Sequence, residues 1–224
     1  EEHGGRVVMK LWPPMNVAEY SAYIAQIRDV DMVYMAFAGI NGLRFIRQYA
    51  EFGLQGQIPL LGGMTSADES ILRNMGSEAL GVISSSFYSA QLEWPANIRF
   101  VELMQETYGV DPGYYAVSAY LEALVLDTAL QQIGGRTDDK AALMTALRAV
   151  ELQDSPRGSF RFDDHGNVVG NVYIFEVQRR EGKLVNIPIK TYEDVSQFWT
   201  YEPEDFLADP VYSRDYPPAR YLTR

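Results

Sequence analysis

Residues 31–63 carry the pattern of one βαβ unit: a strand, a turn, an amphipathic helix and a second strand. The apolar run at 32–37 is typical of a strand that is buried on both faces of a sheet. Gly39 and Gly42 then permit a tight turn into the helix, and residues 58–61 resume the strand pattern. Such a unit places its two strands parallel, so the sequence predicts an α/β fold.

The edge at which these strands end is where a binding site is expected. In doubly wound sheets, small ligands bind in the crevice outside the carboxyl ends of the strands. In this sequence the two strand ends fall at residues 37–39 and 62–64. We therefore expect a small-molecule site to include these two segments.

Further elements in the amino-terminal part repeat the pattern. Residues 6–11 predict a short strand, 17–27 a helix and 80–83 another strand. Ser66 and Glu69 form a capping box ahead of a short helix. Together these elements predict a parallel sheet with helices on both faces.

Three helices follow without an intervening strand. The first begins at Pro95. The second has its apolar residues at helical spacing between 117 and 128 and ends at glycines 134–135. Thr137 caps the third. An amphipathic helix buries its apolar face against another element. We therefore expect these helices to lie against a sheet that is supplied elsewhere.

The last part of the chain changes to strands. Residues 159–162, 171–178 and 183–190 predict strands joined as hairpins, with a second turn at Glu181-Gly182. Residues 193–224 hold four prolines and seven aromatic residues. Disordered tails are poor in aromatic residues, so we expect an irregular arm that is fixed to the surface.

Composition excludes several functions. The formal net charge of −11 argues against binding to nucleic acid, because nothing would neutralise a phosphate backbone. No apolar run approaches the roughly 20 residues of a membrane span. The absence of cysteine excludes disulfides and thiolate chemistry. Because the chain begins at Glu1 rather than methionine, we expect a processed or truncated product.

No sequence motif for catalysis or metal binding is present. The two histidines, His3 near the terminus and His165 in a turn, are expected to be solvated. Asp163 and Asp164 are typical turn residues rather than acids or bases. The sequence contains no phosphate-binding loop, nucleophile elbow or calcium loop. We therefore predict a protein that is not an enzyme and that needs no metal or cofactor.

A family resemblance rests on five phrases in a fixed order. They are GGRVV, EYSAYIAQIRDVDMVYMAFAGINGLRFIRQYAEFGL, SEALGVI, YYAVSAYLEALVLDTAL and SPRGSFRFDDHGNVVGNVYIFEVQ. In these phrases the chain resembles the type I periplasmic solute-binding proteins, specifically the leucine/isoleucine/valine-binding group that serves ABC importers. The resemblance covers nearly everything from Gly4 to about Lys190, and it is the order of the phrases that makes it specific.

The resemblance implies two lobes joined by a hinge that the chain crosses three times. Residues 1–84 and 170–192 would form the second, carboxy-terminal lobe, and residues 85–169 would supply helices and a hairpin to the first. Residues 193–224 would remain as the arm. Family members build the parallel sheet of the first lobe from an amino-terminal portion. We therefore expect an amino-terminal segment or a partner chain to complete that lobe.

The implied function is periplasmic or extracytoplasmic binding of a small-molecule solute. Ligand contacts on both lobes would favour a closed form, and the membrane permease of an ABC transporter would recognise that form. Two alternatives stay open. The same fold serves as the ligand-sensing domain of receptors or regulators, and an α/β enzyme would carry its catalytic residues outside this chain.

The resemblance also bears on the ligand. Amino-acid binders of this family hold the ammonium group with an acidic residue just after the strand equivalent to 58–61, and Met64 stands nearest that position. A tyrosine typical of the preceding loop is replaced by Ala38. A buried ammonium without a carboxylate partner is costly, so an aromatic acid is favoured over a branched-chain amino acid.

The expected ligand-binding residues share positions at strand ends or next to them in the implied cleft. They are Trp12, Phe37, Ala38, Gly39, Met64, Thr65, Phe87, Tyr88 and Tyr115. Aromatic rings and a polarizable methionine suit a flat apolar ligand. Ordinary core or loop packing stays open as an alternative for these side chains and for the neighbouring Tyr114.

Overall fold

The computed structural model describes residues 3–15, 17–213 and 215–216. These residues contain six strands and seven α-helices. The strands are β1 (Val33–Met35), β2 (Leu60–Gly62), β3 (Ile83–Ser86), β4 (Phe160–Phe162), β5 (Val168–Arg180) and β6 (Lys183–Val195). The helices are α1 (Ser21–Ile24), α2 (Ile40–Glu51), α3 (Glu69–Leu72), α4 (Pro95–Tyr108), α5 (Tyr114–Gln132), α6 (Lys140–Arg148) and α7 (Pro203–Ala208).

All six strands belong to one mixed sheet with the order β1-β2-β3-β5-β4, and β6 pairs with β5. β1, β2 and β3 run parallel, which confirms the predicted βαβ unit. β5 runs antiparallel to β3, β4 and β6. The parallel part of the sheet is therefore three strands wide, and its carboxyl edge lies after Met35, Gly62 and Ser86.

The prediction that residues 32–37 form a strand buried on both faces is wrong. β1 lies at the edge of the sheet, and the side chains of Met32 and Tyr34 are 55% and 66% exposed. Met35 is buried in the core, and Val33 is half-buried against it. An apolar run does not reveal how many neighbours its strand has, because that number depends on the topology.

Two predicted elements before β1 differ in the structure. Residues 6–11 form no strand, and Val7, Val8 and Met9 are 36–42% exposed, so no apolar face is buried there. The helix predicted at 17–27 is reduced to α1. Beyond Ile24 the backbone amides of residues 26 and 27 bond to carbonyls three residues back, which is the pattern of tight turns rather than of an α-helix.

The predicted capping residues are also wrong. Asp68, not Ser66, caps α3, since its side chain accepts a hydrogen bond from the Ile71 amide. The Ser66 hydroxyl instead donates to the carbonyl oxygen of Phe37 at 2.6 Å. Asp139 rather than Thr137 caps α6 in the same manner. The predicted strand 80–83 begins only at Ile83, because a 3₁₀ turn covers Ser77–Ala79.

The three middle helices are confirmed, and the chain's own strands cover part of their apolar surface. Phe100 of α4 and Val117 and Leu121 of α5 pack with Phe160 and Phe175 of the sheet. Other apolar side chains on these helices are 46–70% exposed: Ile98, Leu103, Tyr108, Tyr115, Leu126 and Met144. Helices α4 to α6 therefore find only a partial partner among the described residues.

A long hairpin of β5 and β6 ends the folded part. Glu181 and Gly182 both have positive φ, of 49° and 82°, as a two-residue type I′ turn requires, which confirms the predicted turn. The pairing shifts register twice, between Gly170 and Val172 and between Ile174 and Phe175, and each shift places one extra residue in β6. β6 continues to Val195, so the predicted arm starts three residues later than expected.

The arm is fixed to the rest of the molecule by aromatic contacts. The ring of Phe198 is buried and lies 5.2 Å from the ring of His165 and 5.7 Å from that of Phe206. His165 is exposed in the turn between β4 and β5. Asp163 accepts hydrogen bonds from the amides of His165 and Asn167, which confirms it as a turn residue. Residues 214 and 217–224 of the expected arm lie outside the described residues.

Candidate functional site

The loops that follow β1 and β2 lie side by side at the carboxyl edge of the sheet. The amide of Gly39 donates to the carbonyl oxygen of Thr65 at 3.3 Å, and the Ser66 hydroxyl bonds to the carbonyl of Phe37. Gly42 permits this approach, because a Cβ at that position would lie 2.8 Å from the carbonyl oxygen of Ser66. The structure therefore brings the two predicted ligand-binding segments together.

The predicted residues at this edge differ in their exposure. The side chains of Trp12 and Met64 are 54% and 41% exposed, and Ala38 is exposed as well. Gly39 and Thr65 are half-buried. Phe37 is half-buried too, and its ring packs at 5.1 Å against the rings of both Tyr20 and Phe45. Packing into the core thus accounts for Phe37.

The sequence analysis missed an exposed tyrosine on β1. The Tyr34 ring is largely open to solvent, and its hydroxyl lies 3.5 Å from the point where a Cβ at Gly63 would stand. The ring therefore reaches the loop after β2, next to Met64. Tyr34 lies within an apolar run that predicts burial. Its side chain is exposed because β1 is at the edge of the sheet.

A second aromatic group lies where β3 ends and α5 begins. Phe87 follows β3 directly, and its ring centroid is 5.3 Å from that of Tyr114. The Tyr114 ring contacts Tyr115 edge-on at 5.0 Å, and Tyr115 is 70% exposed. The Phe87 ring also contacts Arg157, whose guanidinium carbon lies 4.2 Å from the ring centroid.

Arg157 is another residue that sequence analysis did not find. It lies in a loop between α6 and β4 and is only 8% exposed. Burial lowers its pKa to about 10, so the guanidinium stays charged at neutral pH. The one available signal was a Pro-Arg-Gly sequence just before a strand, and that pattern does not predict burial.

Tyr88 is placed away from solvent. Its side chain is 3% exposed and packs near Phe100 at a centroid distance of 6.4 Å. Burial raises the pKa of its hydroxyl, and the negative charges of Glu69 and Asp111 raise it further. The hydroxyl has no hydrogen-bond partner among the described residues. In this structure Tyr88 belongs to the core behind the edge.

A buried carboxyl group links α3 to the loop after β3. Glu69 Oε1 accepts a hydrogen bond from the Ala90 amide at 3.1 Å and lies 2.7 Å from the Ser89 hydroxyl. That hydroxyl also lies 2.9 Å from the carbonyl oxygen of Asn186. Burial raises the pKa of Glu69 to about 7. Because the hydroxyl has one proton for two acceptors, protonation of Glu69 relieves the competition.

Two surface depressions of about 440 and 430 Å³ lie away from this edge. The first is lined by residues of α2 and the 3₁₀ turn, including Arg47 and Glu78, which form an ion pair. The second includes Trp94, Tyr173 and Pro188. Neither depression includes a predicted ligand-binding residue. In the described ranges, no cluster of His, Asp or Glu side chains is suited to a metal ion.

Comparison with known proteins identifies the family. The family model described as periplasmic binding protein matches residues 1–183. This chain therefore belongs to the periplasmic binding proteins, and the α/β fold of their type I members, expected from the sequence, is confirmed. No helix in the described part of the chain is both long enough and apolar enough to span a membrane.

Three relatives show how far the similarity extends. The Leu/Ile/Val-binding protein homolog 6 of Brucella melitensis is 29% identical over 198 residues, which cover 85% of this chain and 50% of that protein. An ABC transporter substrate-binding protein from Sphaerobacter thermophilus is 30% identical with a TM-score of 0.81, over 86% of this chain and 54% of that one. A solute-binding protein of an ABC transporter from Rhodopseudomonas palustris BisB5, in complex with 3,4-dihydroxybenzoic acid, is 28% identical with a TM-score of 0.75, over 82% and 51%.

This chain thus spans about half the length of the relatives that it matches. All three are named as binding proteins rather than enzymes, and two belong to ABC transporters. None of these names points to the alternative of a receptor's sensing domain.

Proposed function

We propose that this chain is part of an extracytoplasmic solute-binding component of an ABC importer and that it helps to bind a small carboxylate. The observation that carries the proposal is the composition of the carboxyl edge of β1–β3. Exposed apolar and aromatic side chains line it, among them Tyr34 and Met64. The first acidic residues after β2 in the sequence, Asp68 and Glu69, are both buried.

The proposed protein has two lobes, of which this chain supplies the second and part of the first. Residues 1–84 and 170–192 form the second lobe, residues 85–169 belong to the first, and an amino-terminal segment or a partner chain completes the first lobe. The exposed apolar side chains of α4 to α6 support this division, because a further layer would bury them. Closure of the lobes around the solute then creates the form that the permease binds.

An aromatic acid is the favoured ligand class. An aromatic acid needs no carboxylate partner for an ammonium group, and the two acidic residues that follow β2, Asp68 and Glu69, are buried. The R. palustris neighbour is in complex with 3,4-dihydroxybenzoic acid, which supports this choice. The B. melitensis relative is named for leucine, isoleucine and valine, so a branched-chain amino acid is the competing ligand.

Calorimetric titration of the whole protein, expressed from its complete coding region, tests the proposal. We expect stoichiometric binding of 4-hydroxybenzoate or a hydroxycinnamate, no conversion of either compound, and much weaker binding of leucine. Tight leucine binding with no response to the aromatic acids would reverse the ligand assignment. Turnover of a bound compound would contradict the proposed class of protein.

A further inference from the structure

Arg157 is a buried cation that has no counter-ion among the described residues. No carboxylate of the described residues forms an ion pair with it, although Arg47, Arg99 and Arg161 each have one. Its Nη2 donates to the carbonyl oxygen of Asn171 at 3.3 Å, and its Nε makes no hydrogen bond. Leaving a buried charge unpaired is strongly destabilising. A protein retains such a group at a cost to its stability unless something else pairs with it.

Aromatic rings replace only part of the missing hydration. The guanidinium carbon lies 4.2 Å from the Phe87 ring centroid and 5.5 Å from that of Phe160. A cation–π contact offsets only part of the cost of burying the charge. The guanidinium Nε has no hydrogen-bond partner among the described residues, so it remains available to an acceptor.

The position of Arg157 connects it to the proposed ligand edge. Phe87 begins the loop after β3, and its ring contacts both the Arg157 guanidinium and the Tyr114 ring. Tyr114 in turn contacts the exposed Tyr115. A planar ligand packed against these rings would therefore bring its acidic group next to the charge.

We propose that Arg157 pairs with the carboxylate of the ligand, while Phe87, Tyr114 and Tyr115 contact its aromatic body. This inference rests on the proposed function. The planar guanidinium fork matches a carboxylate with two parallel hydrogen bonds. Because the group is covered, the carboxylate reaches it once the Phe87 or Tyr114 ring turns aside.

The test compares an acid with its uncharged amide. Binding of 4-hydroxybenzoate and 4-hydroxybenzamide to the whole protein is measured by calorimetry for wild type, Arg157→Gln and Arg157→Lys. In Arg157→Gln we expect the affinity for the acid to fall at least about 30-fold, while that for the amide changes less than about threefold. Arg157→Lys should lie between, because a lysine keeps the charge without the planar fork.

Arg161→Gln serves as the matched control, since Arg161 is exposed on β4 and pairs with Asp194. It should leave both affinities unchanged. Equal losses for acid and amide in Arg157→Gln would overturn the inference and assign Arg157 to packing. If Arg157→Gln does not fold, the wild type decides: an affinity for the amide within about threefold of that for the acid overturns it. Failure of the wild type to bind either compound would instead refute the proposed function.

Discussion

Asp68 Oδ2 accepts a hydrogen bond from the amide of Tyr114 at 2.9 Å, which joins the start of α3 to the start of α5. The other carboxylate oxygen, Oδ1, accepts from the Ser70 hydroxyl and the Ile71 amide. The buried Asp68 side chain thus caps α3, beside the proposed ligand edge, and also holds the start of α5, which carries Tyr114 and Tyr115. A Cβ at Gly113 would lie 2.8 Å from Oδ2, so the close contact needs a glycine there.

Asp68→Ala should destabilise the whole protein by ~2–4 kcal/mol. The substitution removes a helix cap, worth ~1 kcal/mol, and leaves the Tyr114 amide without its acceptor, which costs a further ~1–3 kcal/mol. Asp139→Ala is the control, because Asp139 caps exposed α6 with a single bond to Ala142. It should cost only ~1 kcal/mol. Urea unfolding measures both, and equal losses would show that the bond to Tyr114 contributes little.

Glu69 should make stability depend on pH. Because the folded-state pKa is raised from 4.5 to about 7, the folded protein binds this proton more tightly than the unfolded chain. The associated stability is fully present below pH 4.5 and is lost as pH rises through about 7. The loss between pH 5 and pH 8 should be ~2–3 kcal/mol.

Glu69→Gln removes this titration, so the difference in unfolding free energy between wild type and variant should shift by that amount over the same range. Urea unfolding at several pH values measures it. Glu122→Gln, on the exposed side of α5, is the control. A difference between wild type and Glu69→Gln that is constant with pH would contradict the raised pKa.

Gly42→Ala should destabilise the protein although alanine is the better helix former. The new methyl group would stand 2.8 Å from the carbonyl oxygen of Ser66, so the loop after β2 must move. We expect a loss of ~1–3 kcal/mol, as for other overpacked sites, together with weaker ligand binding. Gly5→Ala is the control, since nothing lies within 4 Å of that position. Thermal unfolding and calorimetry measure the two effects, and an unchanged or raised midpoint would refute the clash.

The isolated chain of residues 1–224 should self-associate. Leu103, Leu126 and Met144 on α4, α5 and α6 are 46–50% exposed, and apolar helix faces of this kind drive association. Replacing all three by lysine should shift the chain toward monomer in light scattering coupled to gel filtration. A monodisperse, cooperatively unfolding wild-type monomer would show that these helices need no further partner.

Local patterns predicted much of this fold. The period-3.6 pattern located α2, α4, α5 and α6, and the turn at Glu181-Gly182 followed from its residue types. The burial of β1 was mispredicted, because strand order is a long-range property. The predicted caps, Ser66 and Thr137, each lie two residues before the observed caps, Asp68 and Asp139. Serine, threonine and aspartate are all favourable helix caps, so residue type alone does not select among them; the direction of the backbone does.

The candidate site was less predictable than the fold. Met64 and Trp12 are exposed in the structure, whereas Phe37 is half-buried and Tyr88 is buried. The sequence pattern alone gave all four the same apolar character. Arg157 was invisible because its surroundings come from β3, β4 and α5, which are distant in sequence. Pairing between distant segments decides which side chains line an edge.

The first bulge of β6 lies opposite the point where β5 changes from one sheet partner to the other. Residues 173–176 pair with β3, residues 168–170 pair with β4, and the register shift falls between Gly170 and Val172. A bulge interrupts the ladder and lets a strand bend with little loss of hydrogen bonding. The extra residue of β6 lies opposite Asn171, whose carbonyl accepts from Arg157, so a change in the bend of β6 at this point would move the acceptor of that guanidinium.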